Sequence, residues 1–185
     1  MFLVNLLRSG TTLLFFSSAV ALAQDFPHRT QVLKFSEIQL KSAFAAEHAN
    51  YNSATATLSQ QFLDALGGPP DREEQLDDGT TFYAACRAQS CDEKAAEIVD
   101  LNRERVLAVA LQHFNCHVKN RSTSKYTKPT YRCGKEASLA IYVFEPRSDE
   151  DAGKVRRWVE RFQTWGNKSG VKDTKIMYRE VHSSP

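Results

Sequence analysis

Four cysteines and five histidines hold most of the reactive side-chain chemistry in this 185-residue chain. Cys86 and Cys91 enclose four residues, Arg87, Ala88, Gln89 and Ser90. That spacing is neither the Cys-x-x-Cys of a redox helix nor that of a zinc knuckle, so it argues for a structural bridge and against thiol catalysis. His113 and His117 stand four apart, which makes a ligand pair only on a helix. The residues around them read as strand, where that interval separates them by about 13 Å, so no metal and no cofactor are expected. No phosphate loop, Gly-x-Ser-x-Gly elbow or His-Glu-x-x-His occurs. The chain therefore reads as a binding protein. The competing readings are an enzyme whose site is assembled from scattered residues and a secreted domain of some other binding function; a concave pocket with converging polar groups would mark the enzyme, a convex loop the binder.

Four cysteines allow three pairings. Cys86–Cys91 would close a hairpin tip, because a strand-like run, Thr80 to Ala85, leads in and another, Ala95 to Val99, leads out; Cys116–Cys133 would pin both ends of a long loop. A ring as small as the first stabilises a fold by only about 2 kcal/mol on the chain-entropy account. Rigidity of the tip is the better reason for it. Fixing four loop residues in advance removes an ordering cost of about 1–2 kcal/mol each at the moment of binding.

The same residues resemble the family of periplasmic inhibitors of vertebrate lysozyme (Ivy). Its members carry a strand ending Tyr-x-x-x-Ala-Cys, a loop of Lys-Pro-His-Asp type, a closing cysteine and an apolar strand. Here Phe82 or Tyr83 and Ala85-Cys86 match the strand, Arg87, Ala88, Gln89 and Ser90 the loop, and Cys91 the close; the similarity spans residues 80–112. Arg87 keeps the family's cation, whereas Ala88, Gln89 and Ser90 replace its proline, histidine and acid. The histidine is the residue that reaches the lysozyme catalytic carboxylates in that family. The resemblance implies a plug inhibitor of a lysozyme or related cell-wall glycosidase, with Arg87 facing the ionised carboxylate and Gln89 bridging both carboxyl groups.

The elements that must position this tip can be read along the chain. Residues 1–23 form a secretory signal: Arg8 precedes an apolar run from Leu13 to Leu22, and Ala21-Leu22-Ala23 is a small-x-small cleavage site. The run is too short for a membrane span, so the expectation is a periplasmic or secreted protein that binds neither membrane nor nucleic acid. Without the leader, residues 24–185 carry 23 Lys+Arg against 22 Asp+Glu and suit a single α+β domain. Its oligomeric state stays open, a homodimer included.

Ser36 reads as the cap of a helix running to Asn50, with Ile38, Leu40 and Phe44 on its apolar face. A second helix places Leu58, Phe62, Ala65 and Leu66 on one face and stops at Gly67-Gly68-Pro69-Pro70. The acidic run Asp71 to Asp78 reads as a solvated connector or a steering patch for a basic partner, and secreted animal lysozymes are in general basic. Arg105 to Leu111 and Ala137 to Phe144 are strands. Between them Lys119, Arg121, Lys125, Lys128 and Arg132 form a basic loop, read as a solvated face. Ser148 to Asp151 opens a helix with Ala152, Val155, Trp158, Val159, Phe162 and Trp165 on its apolar face and Gly166 at its end. Lys175 to Val181 would be an edge strand. The predicted architecture is α+β: a central antiparallel β-sheet flanked by helices, with a disulfide-stapled protruding hairpin loop.

Overall fold

A computed structural model describes residues 26–120, 130–144 and 149–179. Helices α1 (Arg29–Phe44) and α2 (Leu58–Leu66) are followed by strands β1 (Pro70–Gln75), β2 (Thr81–Arg87), β3 (Ser90–Asp100), β4 (Arg105–His113), β5 (His117–Asn120), β6 (Thr130–Arg132) and β7 (Ser138–Phe144). Helix α3 (Asp149–Lys168) and strand β8 (Asp173–Arg179) complete the order. The six-stranded sheet runs β1-β2-β3-β4-β7-β8, and β5 pairs with β6 in a separate ribbon. The fold is α+β, as the residue pattern predicts. Every pair in the large sheet is antiparallel except β7 with β8, which is parallel because α3 carries the chain back across the sheet.

Both faces of the sheet are covered, which explains the near-continuous apolar runs of β4 and β7. Tyr83, Ala85, Val99, Val109, Leu111, Tyr142 and Phe144 point to the layer of α1 and α2. Phe82, Ile98, Ile141 and Val143 point to α3, which presents Val155, Trp158, Phe162 and Trp165. Between these faces, small residues meet large ones. Ala84, Ala96 and Ala110 are consecutive partners across β2, β3 and β4, a row of methyl groups that leaves room for the α3 aromatics to pack densely. Gly166 does not end α3. A Cβ there would lie 3.1 Å from Leu139 Cδ2 and 3.2 Å from Val171 Cγ2, so glycine suits a tightly packed position within the helix, and the left-handed Gly170 follows the helix end instead. The Ser148 cap lies outside the described residues.

Two expected boundaries are corrected. α1 spans Arg29–Phe44, not Ser36 to Asn50; Ser36 sits in mid-helix, fully buried, and its hydroxyl donates to Glu97 Oε2 at 2.7 Å. Ile38 accordingly faces solvent, and Val32, Phe35, Leu40 and Phe44 form the packed face. The acidic run is not a solvated connector. Its first half is β1, an edge strand whose carboxylates bind the neighbouring helices: Glu73 meets His28 at 2.6 Å, Glu74 accepts from Arg161, and Asp71 accepts from the Trp165 indole at 3.0 Å. Asp78, beyond the strand, accepts from the Trp158 indole at 2.8 Å. Among the described residues no helix is long and apolar enough to cross a membrane.

Candidate functional site

The β2–β3 hairpin ends in the predicted bridge, with the Cα atoms of Cys86 and Cys91 4.7 Å apart. The ladder is regular from Thr81↔Val99 to Cys86↔Lys94 and then jumps to Arg87↔Ser90, leaving Cys91, Asp92 and Glu93 as a bulge in β3. This bulge brings Cys91 alongside Cys86. Ala88 and Gln89 make the turn itself, and Gln89 occupies the left-handed region at φ 67°. An L-residue that is neither Gly, Asn nor Asp holds that conformation at a cost of about 1–2 kcal/mol, so the surrounding ring must enforce it. Arg87, Ala88 and Gln89 are exposed and Ser90 is half-buried, while Arg87 and Glu93 also line a shallow recess with Asn52, Gln61 and Asp64.

The neck of the hairpin is held from several sides. Gly68 packs so closely that a Cβ on it would lie 1.9 Å from Cys86 O, and Cys86 N donates to Pro69 O at 3.0 Å. The Arg29 guanidinium in turn donates to Gly67 O and Gly68 O at 3.1 and 3.0 Å, fixing the helix-to-strand corner on which the neck rests. On the other flank, buried Gln112 of β4 donates to Asp92 O at 3.0 Å, while Asn52 donates to Gln112 O at 2.9 Å. The stop signal Gly67-Gly68-Pro69-Pro70 thus has a second use as a seat for the tip, and no local pattern marks Gln112 or Asn52 for theirs.

Arg87 is not the free cation that the sequence suggests. Its Nη1 donates to Glu93 Oε2 at 2.7 Å, and Ser90 Oγ donates to Glu93 Oε1 at 3.5 Å. The hydrogen bond and charge of Glu93 raise the Arg87 pKa further above its ordinary range. Glu93 is thereby a part of the tip that the four-residue loop reading leaves out.

Cys116 and Cys133 form the second predicted bridge, and Cys116 N donates to Tyr51 O at 3.0 Å. Of the basic loop, Arg132 is exposed; the Lys119 side chain, Arg121, Lys125 and Lys128 lie outside the described residues. His113 is buried at the end of β4, stacked on Tyr51 with ring centroids 4.0 Å apart, and His117 begins β5. Burial holds the His113 pKa down to about 4, only partly offset by the charge of Asp173 and a hydrogen bond with Asn115.

No family model, no curated protein and no solved structure matches this chain.

Proposed function

We propose that the chain is an exported, periplasmic or secreted binding protein that blocks the active-site cleft of a lysozyme-type glycosidase with its Cys86–Cys91 tip. The observation that carries this reading is the tip's combination of exposure and restraint: Arg87, Ala88 and Gln89 face solvent, while the bridge, Gly68, Pro69 and Gln112 hold the loop from beneath. A loop ordered before contact loses little entropy on insertion, so its polar contacts appear as affinity. Oxidised cysteines suit an exported chain.

On this reading the block is steric first and electrostatic second. Glycosidase clefts of this class hold two carboxyl groups, one ionised and one protonated. Arg87 binds Glu93 through Nη1, which leaves the remaining N–H groups of the guanidinium for the ionised carboxylate of the enzyme. The Gln89 amide, at the apex of the turn, both donates and accepts and so spans the pair. Incubating the chain from Gln24 onward with animal lysozymes of several types and following cell-wall lysis tests the proposal, with Arg87→Ala as the variant that should relieve inhibition.

A further inference from the structure

A second polar feature lies at the foot of the same hairpin, on the α3 side. Asp71, Arg72, Lys94, Trp165, Lys168 and Ser169 line an open cleft of about 300 Å³, within the size range of small-molecule sites. Its floor depends on an irregularity in β1: the ladder shifts between Pro70↔Ala85 and Arg72↔Ala84, so Asp71 is an extra residue and turns toward α3 beside Arg72. Asp71 Oδ2 accepts from the Trp165 indole at 3.0 Å and meets Lys94 Nζ only at 3.6 Å. The Lys94 side chain is thus largely covered, 20% exposed, and its ammonium has one long contact to a carboxylate already engaged. Arg72 contacts Glu74 at 3.2 Å through Nε, and Glu74 is shared with Arg161. Lys168 has no acidic partner among the described residues.

We infer that this cleft binds a small oxyanion-bearing molecule of charge near minus two, such as a dicarboxylate or a phosphate. Three cations line the cleft against one acid, and Glu74, which also touches Arg72, is shared with Arg161, so the lining keeps excess positive charge. The fork of Arg72 suits two oxygens at once, and Lys94 and Lys168 act as point charges on either side. The end of a helix ordinarily repels anions; here Gly166 O already accepts from Ser169 N at 2.8 Å and Val171 N at 3.3 Å, which reduces that opposition.

Titration of the isotopically labelled oxidised protein with inorganic phosphate and, separately, with succinate reads the site through the Trp165 indole N–H resonance, assigned by Trp165→Phe. The expected result is a saturable shift with at least one of the two, weakened about tenfold or more in Lys94→Met and in Lys168→Met, with chloride at matched ionic strength giving none. Saturation by phosphate alone or by succinate alone assigns the oxyanion class. Lys168 is exposed, so its variant reports on binding even where Lys94→Met is misfolded. Shifts that are linear with both probes, or equally strong in the folded Lys168→Met protein, would overturn the inference.

Discussion

Arg87 Nη1 lies 2.7 Å from Glu93 Oε2, so the cation offered at the hairpin tip is held by an acid from the bulge of the same hairpin. Any partner carboxylate must share Arg87 with Glu93 or replace it. The pair is partly exposed, 46% for Arg87 and 20% for Glu93, and such pairs contribute about 0–1 kcal/mol. Glu93→Gln should therefore tighten the proposed lysozyme inhibition by roughly two- to fivefold, read as an inhibition constant at low and at high salt. Weaker inhibition would mean that Glu93 orients Arg87 for its partner and does not compete for it.

The small ring and the α3 core should differ sharply in what their loss does to stability. Cys86→Ser with Cys91→Ser should give a folded protein with a modestly lower melting temperature. Trp158→Ala should cost about 3–5 kcal/mol, since its indole is buried and donates to Asp78. Chemical denaturation of the two variants checks both; a double serine variant that fails to fold would make the bridge a structural element and remove its claim as a stiffener of the tip.

Gly68→Ala tests the seat of the hairpin. The new methyl group has backbone at 1.9 Å, with Ala88 N also near at 2.7 Å, so the neck must move. Overpacking of this kind costs about 1–3 kcal/mol. The proposed inhibition should fall along with stability, whereas Gly79→Ala, at a turn where nothing lies near the added carbon, should lose stability through its φ of 81° alone and leave any inhibition intact.

Glu97 and His113 set opposite pH arms of stability. Glu97 is fully buried, and desolvation, opposed only by the Ser36 hydrogen bond, raises its pKa to about 8 from an ordinary 4.5. The folded state then holds a proton that the unfolded state has released, so stability falls as pH rises from about 4.5 through about 8. His113 works the other way: its folded pKa, about 4, lies below the ordinary 6.5, so its contribution is present above 6.5 and is lost as pH falls toward 4. The two oppose each other where they overlap, leaving a net decline between pH 6.5 and 8. Glu97→Gln should abolish that decline in urea denaturation series, and an unchanged slope would place its cause elsewhere.

Much of the fold is legible in the residues because burial and backbone demands coincide in them. β4 and β7 are read correctly since both faces of each strand are covered, and α2 since Gly67 and the prolines stop it where packing also stops. β1 is illegible for an electrostatic reason. Asp71, Glu73 and Glu74 look like a solvated run until Trp165, His28 and Arg161, all distant in sequence, supply their partners. The start of α1 is hidden because buried Ser36 has the side chain of a cap while serving as a donor to Glu97. At the tip, the spacing of Cys86 and Cys91 shows the ring, but Glu93 lies outside it, and only the three-residue bulge brings its carboxylate back to Arg87.

The most direct test of the proposed plug is the inhibition constant against an animal lysozyme for the parent protein, Arg87→Ala, and a loop carrying Pro, His and Asp at positions 88, 89 and 90. The backbone favours the replacement: Gln89 is left-handed at φ 67°, a region that histidine tolerates better than most residues, and proline suits the preceding turn position. Proline should contribute about 0.4–1 kcal/mol through lost freedom, and a histidine hydrogen bond to a charged group about 1.5–3 kcal/mol in a dry cleft. If the tip plugs the cleft, inhibition should tighten by about a hundredfold in the replaced loop and weaken with Arg87→Ala in either background. Constants unchanged by both, in proteins shown to be folded, would contradict it.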